Sequence, residues 1–355
     1  MCTCMKRVTK GIIDYIYQKR AGMRVKALLL FGWLVGQTVW AQQLPQGSLY
    51  SQNPFVVNPA LTGAYDFADV RIQYRRQWQG LDDAPNTAFL TAHTPIGYGD
   101  KTNRRTRSPR YSVPTSTQPL PPAGSWRWGV GAVLMADQTG PTERNSAQLT
   151  AAAHLSLPNQ WIVSAGIGGG ILQYSLRFDR IQTGTPSDPI LPDGQVSLLK
   201  PYVTVGLLAR KGNFWGGVSV LSPKALSLAY AVPSGEISSQ LLPHTFVTAA
   251  YRFALGEQWA VIPQLWLKRV GKAPVSVDAQ VRIQAYERLW AGFNYRFQDS
   301  AGATLGMALS PAISLNYAYD YPLSAIRVAT AGSHELMLAF KFNNRTAIYC
   351  PPMGW

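Results

Sequence analysis

From Val70 onward the sequence repeats one pattern, in which apolar and polar side chains alternate over segments of about ten residues. Each segment ends in Gly, Pro, Asn or charged residues. Between residues 275 and 285, the apolar positions are Val275, Val277, Ala279, Val281, Ile283 and Ala285, and the polar positions are Ser276, Asp278, Gln280, Arg282 and Gln284. Successive side chains of a strand point to opposite faces, whereas a helix would mix these residues. The sequence therefore predicts β-strands with one apolar and one polar face.

Fourteen such segments can be placed after Ala41. They are Val70–Trp78, Thr87–Thr94, Trp126–Asp137, Gln148–Ser156, Trp161–Phe178, Lys200–Ala209, Phe214–Leu221, Thr245–Phe253, Gln258–Leu267, Val275–Ala285, Arg288–Phe297, Ala303–Leu309, Ile313–Tyr319 and His334–Phe342. With an even number of antiparallel strands, the N-terminus and the C-terminus of a closed barrel lie on the same side of the membrane.

The lengths of the connections point to the same architecture. Short connections follow even-numbered segments, at 157–160, 210–213, 254–257, 286–287 and 310–312. Long connections follow odd-numbered segments, at 179–199, 222–244 and 320–333. Outer-membrane barrels have short periplasmic turns and longer extracellular loops, so the pattern also predicts a sidedness.

Composition agrees with a membrane barrel. Charged residues make up 14% of the chain, against about 25% in soluble domains. Aromatic residues lie at or near the predicted strand ends, where barrels carry aromatic girdles, with filling of the interior as the alternative for some; these are Trp126, Trp128, Trp161, Trp215, Trp259, Trp266, Trp290, Tyr295, Phe297, Tyr317 and Tyr319. We predict an all-β fold, a transmembrane antiparallel β-barrel of about 14 strands with an N-terminal plug-like segment. A soluble lipocalin-like binder would need about eight strands and a polar outer face.

Residues 1–41 are predicted to be a leader and signal peptide. Arg24 and Lys26 precede an apolar run, Ala27–Trp40, whose 14 residues are fewer than the roughly 20 that span a bilayer as a helix. The small residue Ala41 then predicts cleavage after it. Met23 is an alternative start, because residues 1–22 add nothing that a leader needs.

The mature chain, without the predicted leader, differs from the full sequence in net charge and in cysteine content. Removing residues 1–41 takes away seven of the 33 Lys and Arg and one of the 18 acidic residues, which leaves a formal net charge of +9. This charge favours a solvated polar surface over nucleic acid binding, since the chain leaves the cytoplasm. Cys350 then stands alone, so neither an internal disulfide nor a cysteine-based zinc site is expected.

Three segments fall outside the regular strands of residues 70–342. Residues 42–69 are broken by Pro and Gly, and we expect them to fold into the barrel lumen as a plug. Residues 97–125 form a basic, Pro-rich insert on the predicted periplasmic side, for which disorder is favoured over a functional loop. Residues 343–355 form a C-terminal tail.

Several motifs of the mature chain resemble one known family. They are Ser51-Gln52-Asn53-Pro54, Asn58-Pro59-Ala60 with Gly63, Tyr74-Arg75-Arg76-Gln77-Trp78-Gln79-Gly80, Ala84-Pro85-Asn86-Thr87, His93-Thr94-Pro95-Ile96-Gly97 and Gly332-Ser333-His334-Glu335-Leu336-Met337-Leu338. Their order and spacing resemble the PorP/SprF family of outer-membrane proteins. The basic insert is longer than a tight family turn and the tail is hard to align.

The resemblance implies a non-enzymatic component of the type IX secretion system, linked in some members to gliding motility. Such a protein would sit in the bacterial outer membrane, among its lipids, and help particular secreted proteins to be exported or attached to the surface. Its implied partners are the sorting domain of a secreted substrate or adhesin and periplasmic secretion-system components. The alternative on the same fold is a small-molecule or fatty-acid-type channel.

Candidate site residues come from these motifs. Arg75 points inward by alternation and could latch the plug by binding carbonyls or an acid such as Asp66 or Asp69; ordinary lumen polarity is the alternative. Asn58, Pro59, Ala60 and Gly63 are expected to form a tight turn with a structural role. The remaining candidates are Gln77, Trp78, Pro85, Thr87 and Pro95.

No catalytic, cofactor or metal site is predicted. The four histidines, His93, His154, His244 and His334, are scattered, and alternation places His334 and Glu335 on opposite faces. The run Gly166–Gly170 lacks the Lys and the helix of a phosphate loop, so close strand packing is expected there. Asp82 and Asp83 lack further oxygen ligands for a cation.

Overall fold

The computed structural model describes residues 45, 47–97, 122–181, 194–222, 226–232 and 235–344. These residues belong to one compact unit, Gln42–Trp355. The predicted leader, most of the basic insert and most of the C-terminal tail lie outside the described residues. No helix within the described ranges is long and apolar enough to cross a bilayer.

Seventeen β-strands are present among the described residues. They are β1 Ala68–Arg76, β2 Asn86–Ile96, β3 Trp126–Thr139, β4 Thr142–Ser156, β5 Ile162–Arg177, β6 Gln195–Lys211, β7 Phe214–Leu221, β8 Leu226–Val232, β9 Gly235–Leu241, β10 His244–Tyr251, β11 Phe253–Leu255, β12 Trp259–Val270, β13 Ser276–Ala285, β14 Leu289–Arg296, β15 Ser300–Ala308, β16 Ile313–Pro322 and β17 Ser333–Phe342. Six short 3-10 helices accompany them, at Leu49–Ser51, Pro54–Val56, Pro59–Leu61, Pro158–Gln160, Phe178–Arg180 and Ala325–Val328.

The strands close into one antiparallel barrel. Consecutive wall strands pair with one another, β10 pairs with β7 and β12, and β1 pairs with β17, whereas β8 and β9 pair only with each other and are not part of the wall. The short β11 continues β10 along β12, so the two count as one wall strand. The wall therefore has fourteen strands, which confirms the predicted fold class.

The two faces of each strand have opposite polarity. In β13, the side chains of Gln280, Arg282 and Gln284 are buried in the barrel, whereas those of Val281 and Ile283 are about half exposed on its outside. This is the reverse of a water-soluble protein. It is the arrangement that a lipid solvent favours, because lipid cannot satisfy polar groups on the outer face.

The two ends of the barrel differ in their connections. One end, which we call the turn end, carries 157–161, 212–213, 256–258, 286–288 and 309–312; β2 ends there at Ile96 and β3 begins there at Trp126. The other, the loop end, carries 77–85, 178–194, 222–243 and 323–332, as well as the shorter 140–141, 271–275 and 297–299.

Three expectations about the wall were wrong. The connection after β3 is only Gly140–Pro141, because β4 begins at Thr142 and not at Gln148. The predicted loop 222–244 contains the hairpin β8–β9. Trp215, Trp266 and Trp290 are buried, so for these three the girdle expectation fails and the alternative, filling of the interior, holds. Trp126, Trp128 and Trp259, by contrast, are exposed near strand ends at the turn end.

Candidate functional site

Residues 47–67, which we call the plug, lie inside the barrel immediately before β1. The plug is built from the 3-10 helices Leu49–Ser51, Pro54–Val56 and Pro59–Leu61. Proline opens the second and third, where its missing N–H and fixed φ cost nothing. Almost every plug side chain is buried, including Leu49, Phe55, Ala60, Leu61, Tyr65 and Phe67.

The plug carries the apolar core of the molecule. Its residues Phe55, Leu61 and Tyr65 form one buried cluster with wall residues that point inward, among them Val133, Leu208, Trp215, Phe246 and Trp266. Tyr65 stacks on Phe67 with ring centroids 5.0 Å apart. The plug thus completes a buried apolar cluster inside the barrel, and a second cluster, Leu172, Tyr174, Tyr202 and Leu241, forms without plug residues.

Glycines on the inner wall let the plug backbone approach closely. A Cβ at Gly166 would lie 2.3 Å from the carbonyl carbon of Pro59, and one at Gly129 would lie 2.2 Å from the carbonyl oxygen of Thr62. A Cβ at Gly206 would lie 2.1 Å from Oδ1 of Asn58. No side chain fits at these three positions while the plug keeps its place.

The Asn58-Pro59-Ala60 motif and Gly63 fix the turn that meets these glycines. Asn58 Oδ1 accepts the backbone N–H of Ala60 at 2.9 Å, and its Nδ2 donates to the carbonyl of Leu207 at 3.2 Å. Gly63 has a φ of +67°, which favours glycine, and its N–H donates to Nδ1 of His93 at 3.3 Å. These residues hold the shape of the plug and also tie it to the wall.

A charged cluster binds the other end of the plug near the loop end. Arg75 Nη1 contacts Asp320 Oδ2 at 2.8 Å and Glu335 Oε2 at 2.9 Å, and all three side chains are buried. Glu335 also accepts the backbone N–H of Ser48 at 2.7 Å, and the hydroxyl of Ser48 donates to Asp320. One arginine and two carboxylates from the wall therefore hold the start of the plug.

Further polar contacts surround this cluster. Gln73 donates to Glu335 at 2.5 Å and receives a weaker bond from Asn53 of the plug at 3.4 Å. Arg282 donates to Gln52 of the plug at 2.6 Å. Charge-assisted bonds of this kind are the stronger ones in a water-poor interior.

One further side chain, Arg127, ties the plug to the wall, and another, Tyr50, bonds within the N-terminal segment. Near the turn end, Arg127 donates to the carbonyl of Ala64 at 3.0 Å and lies 3.9 Å from Asp66. Near the loop end, the hydroxyl of Tyr50 donates to the carbonyl of Pro45. Burial raises the pKa of the Tyr50 hydroxyl, so that it stays a donor over the physiological pH range.

The partners proposed for Arg75 were wrong. Asp69 pairs with Arg71 at 2.6 Å, and Asp66 lies beside Arg127. Arg75 instead binds acids that are 245 and 260 residues away in the chain. Only the strand register, in which Arg75 lies opposite Glu335, brings these groups together.

The remaining candidates lie outside this cluster. Gln77 and Pro85 meet in the first loop, where the N–H of Gln77 donates to the Pro85 carbonyl at 2.9 Å. Trp78, with a φ of +53°, donates its N–H to Ser333 at 3.1 Å. Thr87 donates to Asp137 at 2.7 Å. Pro95 lies at the turn end, where a Cβ on Gly63 would come 3.2 Å from its Cα.

Several important residues were not recognised as site residues from the sequence. The loop-end contacts depend on Ser48, Asp320 and Glu335, and on Arg296, whose Nη2 donates to the carbonyl of Gly47 at 3.5 Å. The close approach of the plug to the wall depends on Gly129 and Gly206. An inward-facing charge near a strand end was the signal that could have pointed to Glu335. Among the described residues, no group of three or more His, Cys, Asp or Glu could hold a metal ion.

The closed barrel, its apolar outer face and its filled lumen define a plugged outer-membrane β-barrel. The sequence matches the family described as type IX secretion system membrane protein PorP/SprF over residues 39–340. The chain belongs to this family, as its motifs indicated, and it is a membrane component of that secretion system. No curated protein matches the sequence.

Solved structures with a similar fold are distant in sequence. The outer membrane protein Omp33 of Acinetobacter baumannii is 12% identical, with 79% of this chain and 100% of that chain covered and a TM-score of 0.45. The toluene transporter TbuX of Ralstonia pickettii is 11% identical, with 83% and 93% covered and a TM-score of 0.46. The translocator domain of the autotransporter NalP from Neisseria meningitidis is 10% identical, with 78% and 88% covered and a TM-score of 0.43.

Proposed function

We propose that this barrel assists the export or surface attachment of particular secreted proteins through protein–protein contacts, and that it is not itself the conduit. The observation that carries the proposal is the fit of the plug. Passage of a polypeptide through the lumen would have to break the Arg75 cluster and the apolar core and to pull the turn away from Gly129, Gly166 and Gly206.

The two ends of the barrel would serve different partners. We place the turn end in the periplasm and the loop end outside the cell, since outer-membrane barrels have short turns and long loops in that arrangement. The sorting domain of a secreted protein or adhesin would bind at the loop end, where the hairpin β8–β9 lies between β7 and β10 in the chain. Periplasmic components would bind at the turn end, where the basic insert 97–125 connects β2 to β3.

A deletion strain tests the proposal. The gene is removed and restored as wild type or as a variant in which residues 223–243 are replaced by a short Gly-Ser linker. The linker can close the gap because Leu221 and His244 are directly paired. We expect the deletion to remove particular proteins from the medium and cell surface, and the linker variant to reproduce that loss.

A matched loop variant controls for damage to the barrel. Replacing residues 272–275 with Gly and Ser of equal length changes the same end and leaves Gly271, which contacts Leu242 and Pro243, in place; this variant should secrete normally. An unchanged secreted proteome in the deletion strain would refute the proposal. Solute uptake through the purified barrel, without any co-purifying protein, would favour the alternative of a small-molecule channel.

A further inference from the structure

A small polar cavity lies between the plug and the wall near the loop end. Its volume is about 40 Å³, and its lining includes Ser48 and Ser51 of the plug and Lys268, Gln280 and Arg296 of the wall. A single buried water takes about 10–15 Å³ of such a cavity. The cavity therefore has room for about three species of the size of a water molecule, and it is too small for an organic ligand.

Buried polar atoms in the lining of this cavity have no hydrogen-bond partner. Gln280 is 3% exposed, and neither atom of its amide is bonded to another group among the described residues. The indole N–H of Trp266, which is 8% exposed, has no acceptor in that part of the chain either. Buried donors and acceptors are normally paired, so the contents of the cavity must complete these bonds.

The lining carries more positive than negative charge. Its charged residues are Lys268, Arg296 and Asp278. Asp278 lies 3.1 Å from Arg296, which also contacts Asp299 at 2.9 Å. Lys268 makes no ion pair within the described ranges of the chain. One positive charge in the lining therefore has no acid to neutralise it.

The surroundings of Lys268 favour a negative ion beside it. Its side chain is partly buried, and a charge that leaves water keeps its desolvation cost unless an opposite charge compensates it. Arg144 and Arg296 act on Lys268 with the same sign of charge, whereas Asp299 opposes them. An anion in the cavity would lower the electrostatic cost of all three cations.

We propose that this cavity binds one monatomic inorganic anion, chloride. The ammonium of Lys268, the indole N–H of Trp266 and the amide N–H of Gln280 donate to it, and water fills the remaining volume and reaches the amide oxygen of Gln280. Ser48 and Ser51 form the plug side of the cavity, so the ion links the plug to the wall. This inference does not depend on the protein contacts proposed above.

Crystals of the full mature chain, grown with bromide in place of chloride, test the site directly. Bromide has the charge of chloride, and its anomalous X-ray scattering distinguishes it from water. We expect an anomalous peak inside the lumen beside Lys268 and Gln280, and no such peak in crystals of Lys268→Met. Lys272→Met removes an exposed lysine of the loop 271–275 and should keep the peak.

Chloride should also stabilise the folded barrel, because an ion that binds only the folded state shifts the unfolding equilibrium toward it. The measurement is the urea midpoint in lipid vesicles, in chloride and in gluconate of equal ionic strength, since gluconate is too large for the cavity. We expect the wild type and Lys272→Met to unfold at higher urea in chloride, and Lys268→Met to lose this difference. Both variants lose one positive charge, so their comparison removes general salt effects.

A second variant keeps the test independent of whether Lys268→Met folds. If that variant shows no heat-modifiable band on gels, Gln280→Met replaces it. This variant keeps the lysine but removes the amide donor, and it should weaken both the peak and the chloride effect.

Two results would overturn the proposal. The first is the absence of the bromide peak, or equal midpoints of the wild type in the two salts, since the cavity would then hold water only. The second is a peak of full height in the folded variant. Secretion assays on these variants are read separately, so failure of the anion site leaves the protein-contact role standing.

Discussion

Arg75 shows how much of the molecule depends on one side chain. It neutralises two buried carboxylates, Asp320 and Glu335, which in turn accept the N–H and hydroxyl groups of Ser48. A buried carboxylate that loses its partner keeps its desolvation cost without the compensating attraction. Replacing Arg75 should therefore weaken the wall and the plug together.

We predict that Arg75→Met destabilises the folded barrel by about 3–5 kcal/mol. The measurement is urea unfolding in lipid vesicles, followed by tryptophan fluorescence. Arg76→Met is the matched control, because Arg76 is the next residue, exposed on the outer face, and its loss should cost less than about 0.5 kcal/mol. Equal effects of the two substitutions would show that the cluster contributes nothing.

A glycine gives a second test at this scale. Gly166→Ala places a Cβ 2.3 Å from the backbone of Pro59, so the plug must shift at a cost of about 1–3 kcal/mol. Gly169→Ala on the same strand meets nothing within 4 Å and serves as the control. In a Cys350→Ser background, a cysteine introduced by Ala60→Cys should react with maleimide about tenfold faster in the Gly166→Ala variant. An unchanged rate would mean that Gly166 does not hold the plug.

The inward direction of Arg75 followed from alternation alone, but its partners did not. Local sequence offered Asp66 and Asp69, whereas the actual acids lie on β16 and β17. Which inward-facing residues meet depends on the register of non-adjacent segments, and a single sequence does not contain that register.

At the scale of the elements, strands were predicted correctly where lipid surrounds them and were missed where they project beyond it. Lipid imposes alternation only on the part of a strand that it surrounds, so segments that project beyond it lose the signal. The start of β4, with Thr142, Glu143, Arg144 and Asn145, has no apolar alternation and was missed for this reason. The hairpin β8–β9 lies in a loop region rich in Pro and Ser and was missed as well.

The basic insert between β2 and β3 can be tested as an element. Residues 98–121 are replaced by Asn-Gly, which together with Gly97 and residues 122–127 forms a short connection between the paired residues Ile96 and Trp128. We expect an intact barrel on heat-modifiability gels, because the wall contacts are unchanged. Periplasmic partners should be lost from detergent pull-downs.

Charge is separated from length by a second variant of the insert. In this variant the insert keeps its length but loses five positive charges, because Gln replaces Lys101, Arg104, Arg105, Arg107 and Arg110. If periplasmic components bind by charge, this variant should lose them too. Normal pull-downs from both variants would assign the contact to another part of the turn end.

At the scale of the whole molecule, the plug decides whether the barrel is a pore. We predict that the intact protein shows no steady single-channel conductance in planar bilayers, whereas a variant without residues 45–63 does. The wall of fourteen strands keeps its own hydrogen bonds without the plug, so the variant should still insert. Steady conductance by the intact protein would contradict this prediction.

The fold class was predictable because every wall strand has one face toward lipid, which requires apolar side chains on that face. Period-two alternation and the fourteen segments required only local sequence. The apolar core in the lumen was not predictable in the same way, since alternation places Trp215 and Trp266 on the inner face but does not show which residues they meet there. Phe55 and Leu61, which share their buried cluster, belong to a different segment of the chain.

The pairing of β1 with β17 has a consequence for the order of assembly. The wall closes only when the last strand to be synthesised reaches the first, and Arg75 and Glu335 face each other across that junction. The N–H of Ser48 binds the same Glu335. Closure of the wall and capture of the chain inside it therefore share one set of bonds, so we expect the plug to be locked in place at the moment when the last strand pairs with the first.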